Sequence, residues 1–290
     1  MRMSALIIGC ALGAFATATG AQFTIKLPRF MDTAKNLIQA TTDINEQQEA
    51  EIGKEYASLL VGAAPLVDIA DVERYLNRVG RWLSLNSERP DLNWQFGVLD
   101  SDNLNAFATP GGYVFVTKGL LARLKSEAEL AGVLAHEIAH VVKKHHLNAL
   151  KKGASMQAGA NILAEFTARS GRNQGVADLL INGVKEVTLR GLDKDDEFEA
   201  DRMAVVIAAR AGYDPFGLPA VLQMLQSMNP EDSGLALLFA THPAPSARLD
   251  VLESVMGTRL DRLAGQPQVM ERFARMMLGP QAGPATSQQK

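Results

Sequence analysis

The sequence predicts an α+β fold that is mostly helical and carries one small β-sheet. Three observations lead there. Apolar residues recur at helical spacing in a series of segments along the chain, whereas strand-like runs bounded by turn residues are confined to residues 94–117. The chain has 290 residues, 47% of them hydrophobic, enough to bury the core of one large domain or two small ones.

Taken in order, the chain opens on a targeting segment. Arg2 supplies a short positive region, Ala5 to Ala18 is apolar and small, and Thr19-Gly20-Ala21 suits cleavage before Gln22. Residues 1–21 are therefore expected to be a signal peptide. Ile7-Ile8-Gly9-Cys10 offers an alternative, a lipoprotein leader, and Ser4 to Ala21 has the length of an uncleaved anchor. Residues 22–45 have no clear pattern. Glu46 to Val61 starts a helix with acids in its first turn. Asp71 to Leu85 repeats Val72, Tyr75, Leu76, Val79, Trp82 and Leu83 at helical intervals.

The β section follows. Trp94 to Asp100 alternates, Asn105 to Ala108 is a second short strand, and Tyr113 to Thr117 is the strongest. Thr109-Pro110-Gly111-Gly112 is turn chemistry between the last two. Leu120 to Leu124 begins a helix, and Ser126 caps a long one with Glu127 and Glu129 in its first turn. Residues 148–167 are rich in Ala and Gly, 170–175 form a loop, and 177–189 are helical in pattern. Asp193 to Ala211 is a second long helix ended by Gly212 and Pro215. Pro215 to Met228, Ser246 to Met256 and Val269 to Leu278 complete the helices, and residues 279–290 are expected to be a disordered tail.

Composition excludes some functions. Lys+Arg 29 against Asp+Glu 32 gives a net charge of −3, with no basic stripe for nucleic acid. Cys10 is the one cysteine, so no intramolecular disulfide forms and any metal site must use histidine and carboxylate.

The chemistry-bearing stretch is His136-Glu137-Ile138-Ala139-His140, set among Leu130, Val133, Leu134, Val141 and Val142. On a helix, positions four apart share a face, so His136 and His140 can point their imidazoles at one zinc ion. Glu137 is placed to act as general base on a water there. Four of the five histidines lie between 136 and 146. His145 and His146 fall about 180° and 280° round the helix from His136, which assigns both to the surface.

A catalytic zinc takes three protein ligands and an open position. The third is either His242 or a carboxylate. The best carboxylates lie in Asp196-Glu197-Phe198-Glu199-Ala200-Asp201, where Glu197 and Asp201 share a helix face. One can bind metal while the other fixes the tautomer of a ligand histidine.

HEIAH, EFEAD about 60 residues later, and His242-Pro243 together resemble the gluzincin metallopeptidase family of the CAAX prenyl endopeptidases and HtpX. Asn105 to Gly112 is similar to its soluble periplasmic branch, represented by BepA and LoiP. The resemblance spans roughly residues 46–258. It implies a zincin-like domain over 22–265, one Zn2+ per chain held by His136, His140 and Glu197, Glu137 as catalytic base, and Asp201 supporting a ligand. His242 and Arg248 match the family's His-Pro-x-x-x-x-Arg element and are expected to be catalytic. Tyr113 to Thr117 is expected to line the cleft as an edge strand that pairs with extended substrate. Asn105, Ala106, Phe107, Tyr113, Val114 and Phe115 are thus the expected substrate contacts. The resemblance implies an endopeptidase acting on unfolded or misassembled proteins in the periplasm, with peripheral or lipid-anchored association at the outer membrane. The competing class is a latent or non-catalytic zinc-binding chaperone whose site is plugged by His242.

Overall fold

A computed structural model describes residues 44–152, 192–229, 232–263 and 265–278. The expected leader, the segments read at 170–175 and 177–189, and the tail at 279–290 lie outside the described residues.

Two helices come first, α1 (Glu46–Ala63) and α2 (Ala70–Leu85). Asn45 and Gln48 cap α1 reciprocally, each side chain bonding the other's backbone N–H. Strands β1 (Gln95–Leu99), β2 (Ala106–Thr109) and β3 (Tyr113–Thr117) form one sheet in the order β1-β3-β2. β1 runs parallel to β3, with Phe96 opposite Val114. β2 runs antiparallel to β3, with Phe107 opposite Phe115.

This order corrects one expectation. The strand Tyr113 to Thr117 is central, hydrogen-bonded on both sides, so it offers no edge to a substrate. Val114 is fully buried in the main core, and Phe115 is buried in a second cluster with Tyr56 and Leu60. The edge strand is β2. Among the described residues its outer side pairs with no strand, whereas the outer side of β1 receives the N–H of Val67 on Val98 O.

The turn between β2 and β3 nests against α1. Gly111 has φ +78°, and a Cβ there would stand 2.7 Å from the Ala50 Cα, so both its conformation and its position call for glycine.

After the short α3 (Lys118–Leu121) comes α4 (Glu127–Val142), the central helix of the domain. Ser126 caps it by accepting from the Glu129 N–H at 3.1 Å. Leu130, Leu134 and Ile138 are each 0% exposed. Burial of such side chains is worth about 1.5–3 kcal/mol apiece, which holds the helix in the interior along with its histidines.

The helix breaks at Lys143 and Lys144. Lys144 adopts φ +60°, and its carbonyl accepts from Asn148 N at the start of a new helical segment, α5, over 145–152. Lys144 also reaches Glu49 at 3.3 Å, and buried Glu49 is bonded by Arg89 and by Gly111 N as well.

Among the described residues the remaining α-helices are α6 (Lys194–Arg210), α7 (Gly217–Gln226), α8 (Ala236–Thr241), α9 (Pro245–Met256) and α10 (Met270–Leu278). The chain is mostly helical with a small mixed sheet, as the sequence implies. α6 and α7 pack on α4. The approach of α7 depends on Gly132 in α4, where a Cβ would lie 2.5 Å from Leu218 N. No helix among the described residues is long and apolar enough to cross a membrane.

Candidate metal centre and active site

α4 presents His136, Glu137 and His140, and α6 presents Glu197 and Asp201 to them. All five residues are at least 97% buried. The Nε2 atoms of His136 and His140 stand 3.1 Å apart. Glu197 reaches in with Oε2 at 3.6 Å from His136 Nε2 and Oε1 at 3.5 Å from His140 Nε2. Donors that share one cation at about 2.0–2.1 Å in a tetrahedral shell stand roughly 3.3 Å from one another. The three residues fit that spacing.

A second observation fits the same reading. Glu197 Oε1 is buried and has no hydrogen-bond partner among the described residues, despite its closeness to His140. A buried carboxylate oxygen is costly without a partner, and a cation is a partner.

Each ligand candidate is held from behind. His136 Nδ1 lies 2.9 Å from Asp201 Oδ1. Asp201 is in turn gripped by Arg248 of α9, through Nε at 2.8 Å and Nη2 at 2.5 Å. His242, just after α8, places Nδ1 2.7 Å from Glu197 Oε2. One ligand atom each of His136, Glu197 and His242 lies within 4.8 Å of the others, so His242 stands at the rim of the same donor set. His136 Nε2, His140 Nε2 and the nearer Glu197 oxygens lie within 3.6 Å of one another, and His242 touches the same carboxylate from outside the HExxH helix.

Electrostatics follow from burial and these pairings. Burial raises the Glu137 carboxyl above its ordinary range. Burial would raise Asp201 too, but Arg248 outweighs it and holds Asp201 at about 2. In Glu197, likewise, His242 and His136 overcome burial and keep the carboxyl well below its usual range. Burial and Arg248 disfavour a charged His136, yet the hydrogen bonds to Asp201 and Glu197 prevail and raise it to about 9. Burial depresses His140 well below 6.5.

A cleft enclosing about 350 Å³, part of it open to solvent, leads away from this centre. Its lining includes His136, Glu137, His242 and Arg248, Ala106 of the edge strand, and the apolar Leu218, Val221 and Leu222 of α7. Of the expected substrate contacts, Ala106 is thus at the cleft. Neighbouring Asn105 is buried, with Oδ1 accepting from Ala106 N and Nδ2 without a partner among the described residues. Phe107 and Tyr113 pack against the second cluster. With Val114 and Phe115, they are not among the residues lining the cleft.

The surface placement of His145 and His146 is corrected. His145 is 3% exposed, with Nδ1 3.0 Å from His140 Nδ1 and Nε2 3.2 Å from Glu199 Oε2. His146 is half-buried with its ring centroid 5.3 Å from that of His140, and burial depresses it to about 3. A helical wheel carried through Lys144 fails because the chain turns there through a positive φ. The doublet Lys143-Lys144 before the histidines carries no sequence signal for that turn.

The sequence matches Peptidase family M48 over residues 70–256. It is 29% identical over 232 residues to the beta-barrel assembly-enhancing protease of Escherichia coli (strain K12), covering 77% of this chain and 47% of that protein. It is 32% identical over 181 residues to the mitochondrial metalloendopeptidase OMA1 of Schizosaccharomyces pombe, covering 62% and 51%. A protease HtpX homolog of Methylibium petroleiphilum is 30% identical over 201 residues, covering 56% and 69%. The chain spans about half the length of the assembly-enhancing proteases it matches. Its matched region contains α4, α6 and α9, with every residue of the buried centre, and the chain belongs to peptidase family M48.

Proposed function

We propose that this protein is a zinc-dependent endopeptidase that hydrolyses peptide bonds in unfolded or misassembled proteins of the cell envelope. The observation that carries the reading is the convergence of His136 Nε2, His140 Nε2 and the Glu197 carboxylate beside Glu137, next to a cleft that His136 and Glu137 line.

His136, His140 and Glu197 would hold the metal. When bound, zinc supplies Lewis-acid activation of water and of the scissile carbonyl. Glu137 takes one proton from the attacking water as its oxygen bonds to the carbonyl carbon. It then delivers that proton to the amide nitrogen as the C–N bond breaks. The raised Glu137 carboxyl suits both halves of that task, because a group that must accept and return a proton works best near the operating pH. Asp201 and Arg248 keep His136 in one tautomer and one orientation.

Substrate pairing moves from β3 to β2. In the antiparallel ladder with β3, alternate residues of β2 turn their backbone groups outward, and Ala106 stands at the cleft. An extended chain added to this edge is held by main-chain bonds, which favours breadth of substrate over side-chain selection. The name of the Escherichia coli relative, a beta-barrel assembly-enhancing protease, supports a cell-envelope substrate class. The leader read at residues 1–21 supports export to the periplasm.

The test is zinc content together with casein cleavage for the wild type and Glu137→Gln. One zinc per chain is expected in both, with cleavage lower by about 10²–10⁴-fold in the variant. Wild-type turnover by Glu137→Gln would remove Glu137 from the mechanism. A second reading rests on the 2.7 Å contact of His242 with Glu197. In it His242 closes the site, and the protein is a latent enzyme or a zinc-binding chaperone. Zinc in both proteins with cleavage by neither is its signature.

A further inference from the structure

We propose that His145 is a positioning residue for the metal centre, accepting the Nδ1 proton of His140 and tying that ligand through its own ring to Glu199. The inference rests on the proposed function to this extent, that His140 binds the metal through Nε2.

Two Nδ1 atoms face each other across 3.0 Å in the contact of His140 with His145, so one proton must lie between them. The Nε2 of His140 points the other way, 3.1 Å from His136 Nε2 and 3.5 Å from Glu197 Oε1. A ligand nitrogen must be bare, so a neutral His140 carries its proton on Nδ1 and donates it. His145 Nδ1 is then the acceptor, and the one proton of a neutral His145 sits on Nε2. That nitrogen lies 3.2 Å from Glu199 Oε2 and 3.6 Å from Asp196 Oδ1, both of which only accept. Every direction in the chain is thereby fixed without charging either ring.

The far end is anchored as well. Glu199 pairs with Lys143 at 2.7 Å. Lys143 follows α4 directly, so the relay closes back on the helix that carries His140. The arrangement matches the other ligand. His136 is backed by Asp201 and then Arg248, and His140 by His145, Glu199 and then Lys143. His145 is 3% exposed, so water does not replace the bond it makes.

The experiment measures Zn2+ affinity of the full chain by competition with a chromophoric chelator, for the wild type, His145→Phe, His145→Asn and Glu199→Gln. Phenylalanine fills the volume and accepts nothing. Asparagine places an oxygen close to where Nδ1 stands. His145→Phe is expected to weaken zinc binding by about 10–100-fold, His145→Asn to recover most of the loss, and Glu199→Gln to weaken it less than His145→Phe does. Wild-type affinity in His145→Phe overturns the relay, and so does an equal loss in the Phe and Asn variants, which would mark a packing role. Circular dichroism of the chelated proteins reports folding. Should His145→Phe fail to fold, unchanged affinity in Glu199→Gln overturns the proposal. A folded wild type that binds no zinc overturns the metal reading itself, an outcome distinct from a tight wild type matched by His145→Phe.

Discussion

Arg248 is 5% exposed and donates two hydrogen bonds to the Asp201 carboxylate. Such a pair contributes little compared with an apolar pair of the same shape, but removal of the arginine leaves a buried carboxylate with His136 as its remaining partner. Arg248→Met is therefore expected to destabilise the protein by about 3–5 kcal/mol, read as a lower urea midpoint. A change below about 1 kcal/mol would place the pair in the range of solvent-exposed ion pairs. Residue identity at this centre was largely legible. His136, Glu137 and His140 are bound to one helix by their spacing, and Glu197 and Asp201 to another. His145 was not legible, because its position depends on a left-handed residue at Lys144 that no local pattern announces. The contact of His242 with Glu197 spans 45 residues, and no spacing rule reaches that far.

At the scale of elements, the geometry of the site depends on where α4 begins as well as where it ends. Buried Glu127 in its first turn accepts from Tyr75 of α2 at 2.6 Å, from Tyr213 after α6 at 2.7 Å, and from Arg272 of α10. Burial alone would raise this carboxyl, but the bonds from Arg272 and the two tyrosines outweigh it and lower it below 4.5. A carboxyl depressed in the folded state stabilises it above the unfolded value and ceases to do so as pH falls through the folded one. Glu127→Gln should then cost about 1.5–3 kcal/mol at pH 7, and the gap from wild type should narrow as pH falls below 4.5. Urea midpoints of both proteins between pH 7 and pH 3 measure this. A gap independent of pH would mean that the charge of Glu127 does not hold the helix start. Element existence was readable from periodicity, but strand order was not. Tyr113 to Thr117 reads as a strand in any case, and its lack of polar alternation is the trace of a central position, buried on both faces. α8, at 6 residues, is too short for a helical period to register.

For the whole molecule, the donors of the proposed metal site join parts of the chain that are distant in sequence. His136 and His140 come from α4, Glu197 from α6, and residues 153–191 lie between the described parts that carry them. A cation held by all three binds the folded state and has no equivalent site in the unfolded chain, where the ligands are scattered. It stabilises by mass action, by about 2.7 kcal/mol when free metal is a hundredfold above Kd. Chelation should lower the thermal midpoint, and zinc should restore it. Glu197→Gln separates this from a general effect of zinc on the protein. It removes one of three ligands and leaves a neutral amide of similar size, so the chelated variant should fold. Its midpoint should respond to zinc far less than that of the wild type. Histidines in the unfolded chain also bind zinc weakly, which reduces the shift in both proteins and leaves their difference intact. An equal zinc-induced shift in Glu197→Gln and wild type would mean that α6 does not complete the site, and the third ligand would then be sought at His242, which already stands among the donors.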